Sequence, residues 1–218
     1  MPLFVFDLDG TLIDSRRDLA DAANALIAER GGRPLPVDAV ARMVGEGAAV
    51  LVRRALSAAA LDPESPGALA RFLQLYDERL LVHTRLYDGT RDALDALHAI
   101  APLAVLTNKP TRATTTILEG LGLGSLFQWI HGGDGPLPRK PDPAALRDLM
   151  TRTHAAADRT VMIGDSAIDL ATARAAGTRA CLVRYGFGFT TSPPDLRPGD
   201  LVVDRPGDLV PALRSIAE

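Results

Sequence analysis

The chain contains one cysteine in 218 residues, so an internal disulfide is unavailable. Cys181 lies in the apolar run Ala180-Cys181-Leu182-Val183, where a free thiol reads as part of a core. Positive charge is not in excess either: 24 lysines and arginines stand against 27 aspartates and glutamates, a formal net charge of -3. Such a balance offers no basic face to a phosphate backbone or an anionic bilayer, which argues against nucleic acid and membrane surfaces as partners. No apolar stretch has the length needed to span a bilayer, and the first residues show no basic segment followed by an apolar one. A cytoplasmic protein, monomeric or homodimeric, is expected. Internal repeats and low-complexity segments are lacking as well. Lysine is scarce: only Lys109 and Lys140 occur, and every other basic residue is arginine. Both lysines precede a proline in a loop. An ammonium is a compact point charge suited to one oxygen, whereas a guanidinium is a planar fork, so these two positions stand apart from the generic basic ones.

What the chain does have is Asp7-Leu8-Asp9-Gly10-Thr11, following the apolar run Leu3-Phe4-Val5-Phe6. Residues two apart on a strand share a face, so Asp7 and Asp9 point together while Leu8 points away. Gly10 lets the chain turn without a side-chain clash. Two neighbouring carboxylates resist full ionisation unless a cation or a proton lies between them. A hard metal such as Mg2+ and a nucleophile beside a proton carrier are the natural uses.

From residue 17 to residue 30, Leu19, Ala22, Ala23, Leu26 and Ile27 recur at helical spacing, with Ser15 near the N-cap. A short helix through Val40, a break at Gly45-Glu46-Gly47, a helix carrying Val50, Leu51 and Leu56, and a helix over 67–84 follow. No strand is expected there, so residues 15–87 read as an all-helical insert between a core of residues 1–14 and 88–218. Beyond residue 89 the pattern alternates. Helices over 90–100, 111–121 and 143–153, and one ending at Ala176, separate the apolar runs 103–106, 127–130, 160–163 and 180–183. Residues 190–199 read as a surface loop before a last strand at 201–203. Alternating apolar strands and helices predict an α/β fold, a Rossmann-like three-layer core with a parallel sheet, in which chemistry gathers beyond the carboxyl ends of the strands. Those ends carry Asp7 and Asp9, then Thr107 and Asn108, then Asp165, with Lys140 in a nearby loop.

A constellation of this kind suits phosphoryl transfer. Asp7 and Asp165, with a backbone carbonyl and water, can form an oxygen site for Mg2+. Asp7 can attack phosphorus once the phosphate charge is screened. Thr107, Asn108 and Lys140 supply donors to the transferring group, and Asp9 can move the proton of the leaving alcohol. Asp169, four residues after Asp165, can steer metal waters or Lys140.

In order along the chain, Asp7-Leu8-Asp9-Gly10-Thr11, Leu106-Thr107-Asn108, Arg139-Lys140-Pro141-Asp142-Pro143 and Gly164-Asp165-Ser166-Ala167-Ile168-Asp169 together resemble the haloacid dehalogenase superfamily. The likeness is to its phosphatases with a helical cap inserted after the first strand, and it covers nearly the whole chain. It implies Asp7 as nucleophile, Asp9 as acid and base, and Mg2+ held by Asp7, the Asp9 carbonyl and Asp165, with Ser166 and Asp169 in support. Dehalogenases of the superfamily lack the second aspartate, so Asp9 argues for phosphatase chemistry. Thr107-Asn108-Lys109-Pro110, Val44-Gly45-Glu46-Gly47, Tyr185-Gly186 and Val202-Val203-Asp204 are similar to phosphoglycolate phosphatases. On that likeness Gly45 and Glu46 belong to the loop facing a small phosphorylated metabolite. A sugar-phosphate mutase of the β-phosphoglucomutase kind is the alternative, and a non-catalytic scaffold the reading from another class. His131, Trp129 and Phe187 are expected to serve packing, and Lys109 to act as a further phosphate donor.

Overall fold

A computed structural model describes residues 1–217. The chain opens with β1 (Leu3–Phe6) and β2 (Ile13–Asp14). Four helices follow: α1 (Arg16–Glu29), α2 (Val37–Ala41), α3 (Ala48–Ala58) and α4 (Ala68–Asp77). After β3 (Arg85–Leu86) come α5 (Thr90–His98), β4 (Leu103–Leu106), α6 (Thr111–Gly120) and β5 (Phe127–His131). The last part holds α7 (Ala144–Thr153), β6 (Thr160–Gly164), α8 (Ala167–Ala176), β7 (Arg179–Val183), α9 (Phe187–Thr191), β8 (Leu201–Val203) and α10 (Leu209–Ala217).

Six strands pair side by side in the order β5-β4-β1-β6-β7-β8, every pair parallel. Both faces are covered, which is why the strand sequences are continuously apolar and do not alternate with polar residues. Leu3 and Val5 point into a core shared with Leu146 and Leu149 of α7 and Leu170 and Ala173 of α8. Phe4 and Phe6 point the other way, toward Leu94 and Leu97 of α5, Ile117 and Leu118 of α6, and Leu209 and Leu213 of α10. Each such fully buried Leu or Phe contributes about 1.5–3 kcal/mol. This is the expected α/β architecture with a mostly parallel sheet.

Helices α1 to α4 follow their predicted spacing on the buried side: Leu19, Ala22, Ala23, Leu26 and Ile27 of α1 pack with Leu51, Leu56, Phe72 and Tyr76. Two expectations fail in this stretch. The helix predicted over 67–84 ends at Asp77. The Asp18 carboxylate accepts the backbone N–H groups of His83 and Thr84 and the Thr84 hydroxyl at 2.8–3.0 Å, drawing those amides out of any helical ladder. The expectation of no strand within 15–87 also fails, because β3 pairs antiparallel with β2 through Ile13↔Leu86 and Asp14↔Arg85. A two-residue strand is too short to carry a period. Downstream, Thr190 and Thr191 lie in α9 rather than in a loop; their hydroxyls donate to the carbonyls of Gly186, Phe187 and Gly188, masking a five-residue helix behind loop-like composition. No described helix is long and apolar enough to cross a membrane.

Candidate functional site

β1 lies between β4 and β6, so the residues just beyond these strands, Asp7, Thr107 and Asp165, stand side by side. From β1 the sheet grows through β4 and β5 on one flank and through β6, β7 and β8 on the other, and a crevice opens where the order reverses. Strand hydrogen bonding continues into the site: the Asp7 N–H donates to Ile163 O at 2.8 Å and the Thr107 N–H to His131 O at 2.9 Å. Gly10, at φ +83°, turns the chain back, and a Cβ there would collide with the Asp165 carboxylate.

The two lysines anchor two separate acidic groups. Lys140 Nζ lies 2.5 Å from Asp169 Oδ1 and 3.0 Å from Asp7 Oδ1. The second approach is off-line, so Asp7 Oδ1 stays buried without a hydrogen-bond donor. Asp7, Asp165 and Asp169 each present an oxygen within 4.8 Å of the others. Lys109 Nζ forks across Asp9, 2.9 Å from each carboxylate oxygen, and the Ser15 hydroxyl donates to Asp9 Oδ1. Over Lys109 lies the ring of Tyr76, its centroid 4.6 Å from Nζ.

Burial raises the Asp7 carboxyl to about 6; Lys140 opposes the rise and Asp169 adds to it. Burial also holds Asp165 well above the usual carboxylate range, with the charges of Asp169 and Asp7 adding to it. For both lysines burial works against the charge, but the facing aspartates prevail and keep each ammonium above the ordinary lysine range. A further positive charge at this cluster would favour the ionised form of the Asp7 and Asp165 carboxyls.

A cavity above the strand ends is lined by Asp7, Asp9, Thr107, Asn108, Asp165 and Ser166 from below, and by Leu19, Val44, Gly45, Leu51, Phe72 and Tyr76 from the helical insert. Several expected site residues therefore meet, but not all in the expected manner. Lys140 lies beneath the cavity floor against Asp7 and Asp169. The Asn108 carboxamide is occupied by backbone: Nδ2 donates to Gly45 O and Lys140 O, and Oδ1 accepts from the Lys140 N–H, each at 2.9 Å. Asn108 thus lines the cavity while its carboxamide ties the lysine loop to the insert. Asp169 joins the carboxylate cluster itself and accepts from the Ser166 hydroxyl at 2.6 Å. Glu46 is not brought to the cavity. It is exposed and pairs with Arg54 of α3, because the glycines on either side turn its side chain outward. Lys109, expected as a phosphate donor, lines the same cavity and pairs with Asp9.

Three participants escaped sequence reasoning. Ser15 occupies the N-cap position of α1 but makes no capping bond, giving its hydroxyl to Asp9. Tyr76 looks like any apolar member of a helical stripe. The Gly188 N–H, in α9, donates to Asp165 Oδ2 at 2.7 Å, and only the glycine between two phenylalanines hinted at a close backbone approach.

The carboxylate cluster fits a hard divalent cation. Three acids face one ammonium, an excess of two negative charges when all are ionised, and one oxygen of Asp7 lacks a donor.

A parallel sheet whose central strand ends in paired aspartates, roofed by inserted helices, defines an enzyme core built for handling a charged group. The family profile described as haloacid dehalogenase-like hydrolase matches residues 1–177. Phosphoglycolate phosphatase of Rhodospirillum rubrum is 44% identical over 191 residues, covering 84% of this chain and 79% of that protein. Phosphoglycolate phosphatase 1 of Pseudomonas aeruginosa is 37% identical over 222 residues, covering 99% and 81%. The crystal structure of a "predicted phosphoglycolate phosphatase" from Haemophilus somnus superposes with a TM-score of 0.87 at 28% identity, covering 97% of each chain. The chain belongs to the haloacid dehalogenase-like hydrolases.

Proposed function

We propose that the chain is a Mg2+-dependent phosphomonoester hydrolase whose substrate is 2-phosphoglycolate, released as glycolate and inorganic phosphate. The observation that carries this reading is the meeting of Asp7, Asp9, Thr107 and Asp165 at three adjacent strand ends. The names of the relatives at 37–44% identity support the substrate. Glu46 supports it too, since its carboxylate faces Arg54 and so does not repel an acid inside the cavity.

In this reading Asp7, Asp165 and the Asp9 carbonyl would hold Mg2+, which would supply positive charge to screen the phosphate. Asp7 forms a bond to phosphorus as the bond to the alcohol oxygen breaks, and Asp9 gives that oxygen a proton. A water then attacks the aspartyl phosphate, Asp9 takes its proton, and the bond to Asp7 breaks. The Thr107 hydroxyl hydrogen-bonds the transferring phosphoryl group, and Lys140 holds Asp7 in line. Residues 15–87 act as a cap over a core of residues 1–14 and 88–218. Leu19, Leu51 and Phe72 keep bulk water from the intermediate and limit the substrate to a small phosphomonoester.

Purified protein with Mg2+, assayed for phosphate release over a broad panel of monoesters and ranked by kcat/KM, tests the reading. 2-Phosphoglycolate is expected to rank first. Conversion of glucose 1-phosphate to its isomer without free phosphate would make the chain a mutase, and no turnover of any monoester would make it a scaffold.

A further inference from the structure

Asp9 must both give and take a proton while Asp7 changes its bonding, so its carboxylate has to stay in one place. Its position comes from one ammonium and one hydroxyl, Lys109 and Ser15. A lysine side chain has four rotatable bonds and holds a geometry only if something confines it. Two of the three Nζ protons face the Asp9 oxygens, and the remaining side of the ammonium lies against the Tyr76 ring. Tyr76 itself is fixed. It is 2% exposed and stacks on Phe72, one turn earlier in α4, with centroids 5.9 Å apart and planes 11° from parallel. Its buried hydroxyl makes no well-aligned hydrogen bond, although it lies near enough to the Lys109 ammonium to favour its charge, so the ring face is the main contact this side chain offers Lys109.

We infer that Tyr76, carried on the helical insert, is a positioning residue for Asp9, confining the Lys109 ammonium that forks across the Asp9 carboxylate. An aromatic face over a desolvated ammonium attracts it and covers the side that Asp9 leaves free. Because α4 belongs to the insert whereas Asp9 and Lys109 follow β1 and β4, the stack is complete only when the insert sits over the strand ends. The proton carrier is therefore aligned in the same event that encloses the cavity. This rests on the phosphohydrolase reading, in which Asp9 moves the proton.

The test pairs steady-state kinetics with amine labelling, for which this chain is well suited because Lys109 and Lys140 are its only lysines. Tyr76→Leu removes the ring, and Tyr76→Met serves in its place where the Leu variant does not fold. Tyr76→Phe keeps the ring and drops a hydroxyl that makes no well-aligned hydrogen bond. Loss of the ring should lower kcat about tenfold with KM changed less than about twofold, and Tyr76→Phe should retain most of the wild-type kcat. With an amine-reactive acetylating reagent and mass spectrometry, Lys109 should label about tenfold faster without the ring and stay protected in Tyr76→Phe, with Lys140 as an unchanged internal reference. Wild-type kcat in the ringless variants, a change in KM alone, or equally fast Lys109 labelling with and without the ring would overturn the inference. A wild-type chain that hydrolyses no monoester would instead overturn the hydrolase reading and Tyr76's catalytic consequence with it, while labelling still decides whether Tyr76 seats Lys109.

Discussion

The two lysine-centred clusters on either side of the cavity floor are built from the same residue types to opposite ends. Around Lys140, three buried carboxylates share one ammonium, and the Asp7 and Asp165 carboxyls are pushed up by burial and by like charge. Around Lys109, one carboxylate meets one ammonium, and a hydroxyl and an aromatic ring close the group. The first cluster is electrostatically incomplete and suited to gaining a cation. The second is complete and suited to holding a proton carrier still. The difference lies in how many acids each lysine must serve, not in the lysines.

The most severe change to the first cluster is Asp7→Asn, which removes the nucleophile of the proposed reaction. It should lower kcat by about a thousandfold or more, while the melting temperature holds or rises because a neutral amide replaces a crowded buried acid. Next comes the contrast between the lysines. Lys140→Met should cost about 3–5 kcal/mol in urea unfolding without Mg2+, since Asp7 and Asp169 lose their ammonium. Lys109→Met should cost about 1–3 kcal/mol, because Asp9 keeps the Ser15 hydroxyl. Mg2+ should restore much of the first loss and little of the second; equal recovery in both variants would break the comparison.

An effect of comparable size concerns pH. Asp7 is raised from 3.8 to about 6 in the folded chain, so the native state holds its proton more tightly than the unfolded state. That contribution is fully present below pH 3.8 and is lost as pH rises through about 6, an effect of about 3 kcal/mol. Asp165, shifted the same way, adds to the loss. A divalent ion replaces the departed protons, so the gain in melting temperature on adding Mg2+ should grow between pH 5 and pH 7.5, followed by calorimetry. A gain independent of pH would mean that the ion binds elsewhere. The smallest effect belongs outside both clusters: Glu46→Gln should leave kcat/KM for 2-phosphoglycolate within about twofold, because its exposed pairing with Arg54 is screened by water.

The strand ends were the most legible part of the chain. A continuous apolar run ending in Asp-x-Asp has one economical explanation, and three such run ends alternating with helices force a parallel sheet that sets them side by side. Elements held by single long-range contacts were illegible. The course of the chain after α4 is tied by Asp18, which reaches across 65 positions to His83, and no local pattern announces such a bond. Asn108 and Glu46 have partners that the sequence does not announce, for a related reason: a residue type indicates what a side chain can bind, whereas the occupant is decided by what folding places beside it. For Asn108 that is the backbone of Gly45 and Lys140, and for Glu46 it is Arg54.

The order of residues along the chain determined the sheet, the acids at its carboxyl edge and the helical interruption after the first strand, because hydrophobic period and turn chemistry act over neighbouring residues. Only the folded chain decided which acid each lysine serves, that Ser15 and Tyr76 belong with Asp9, and that Glu46 faces outward. Those partnerships join segments far apart in sequence, and the energy of a buried charge depends on everything within a few ångströms of it, whichever segment supplies it.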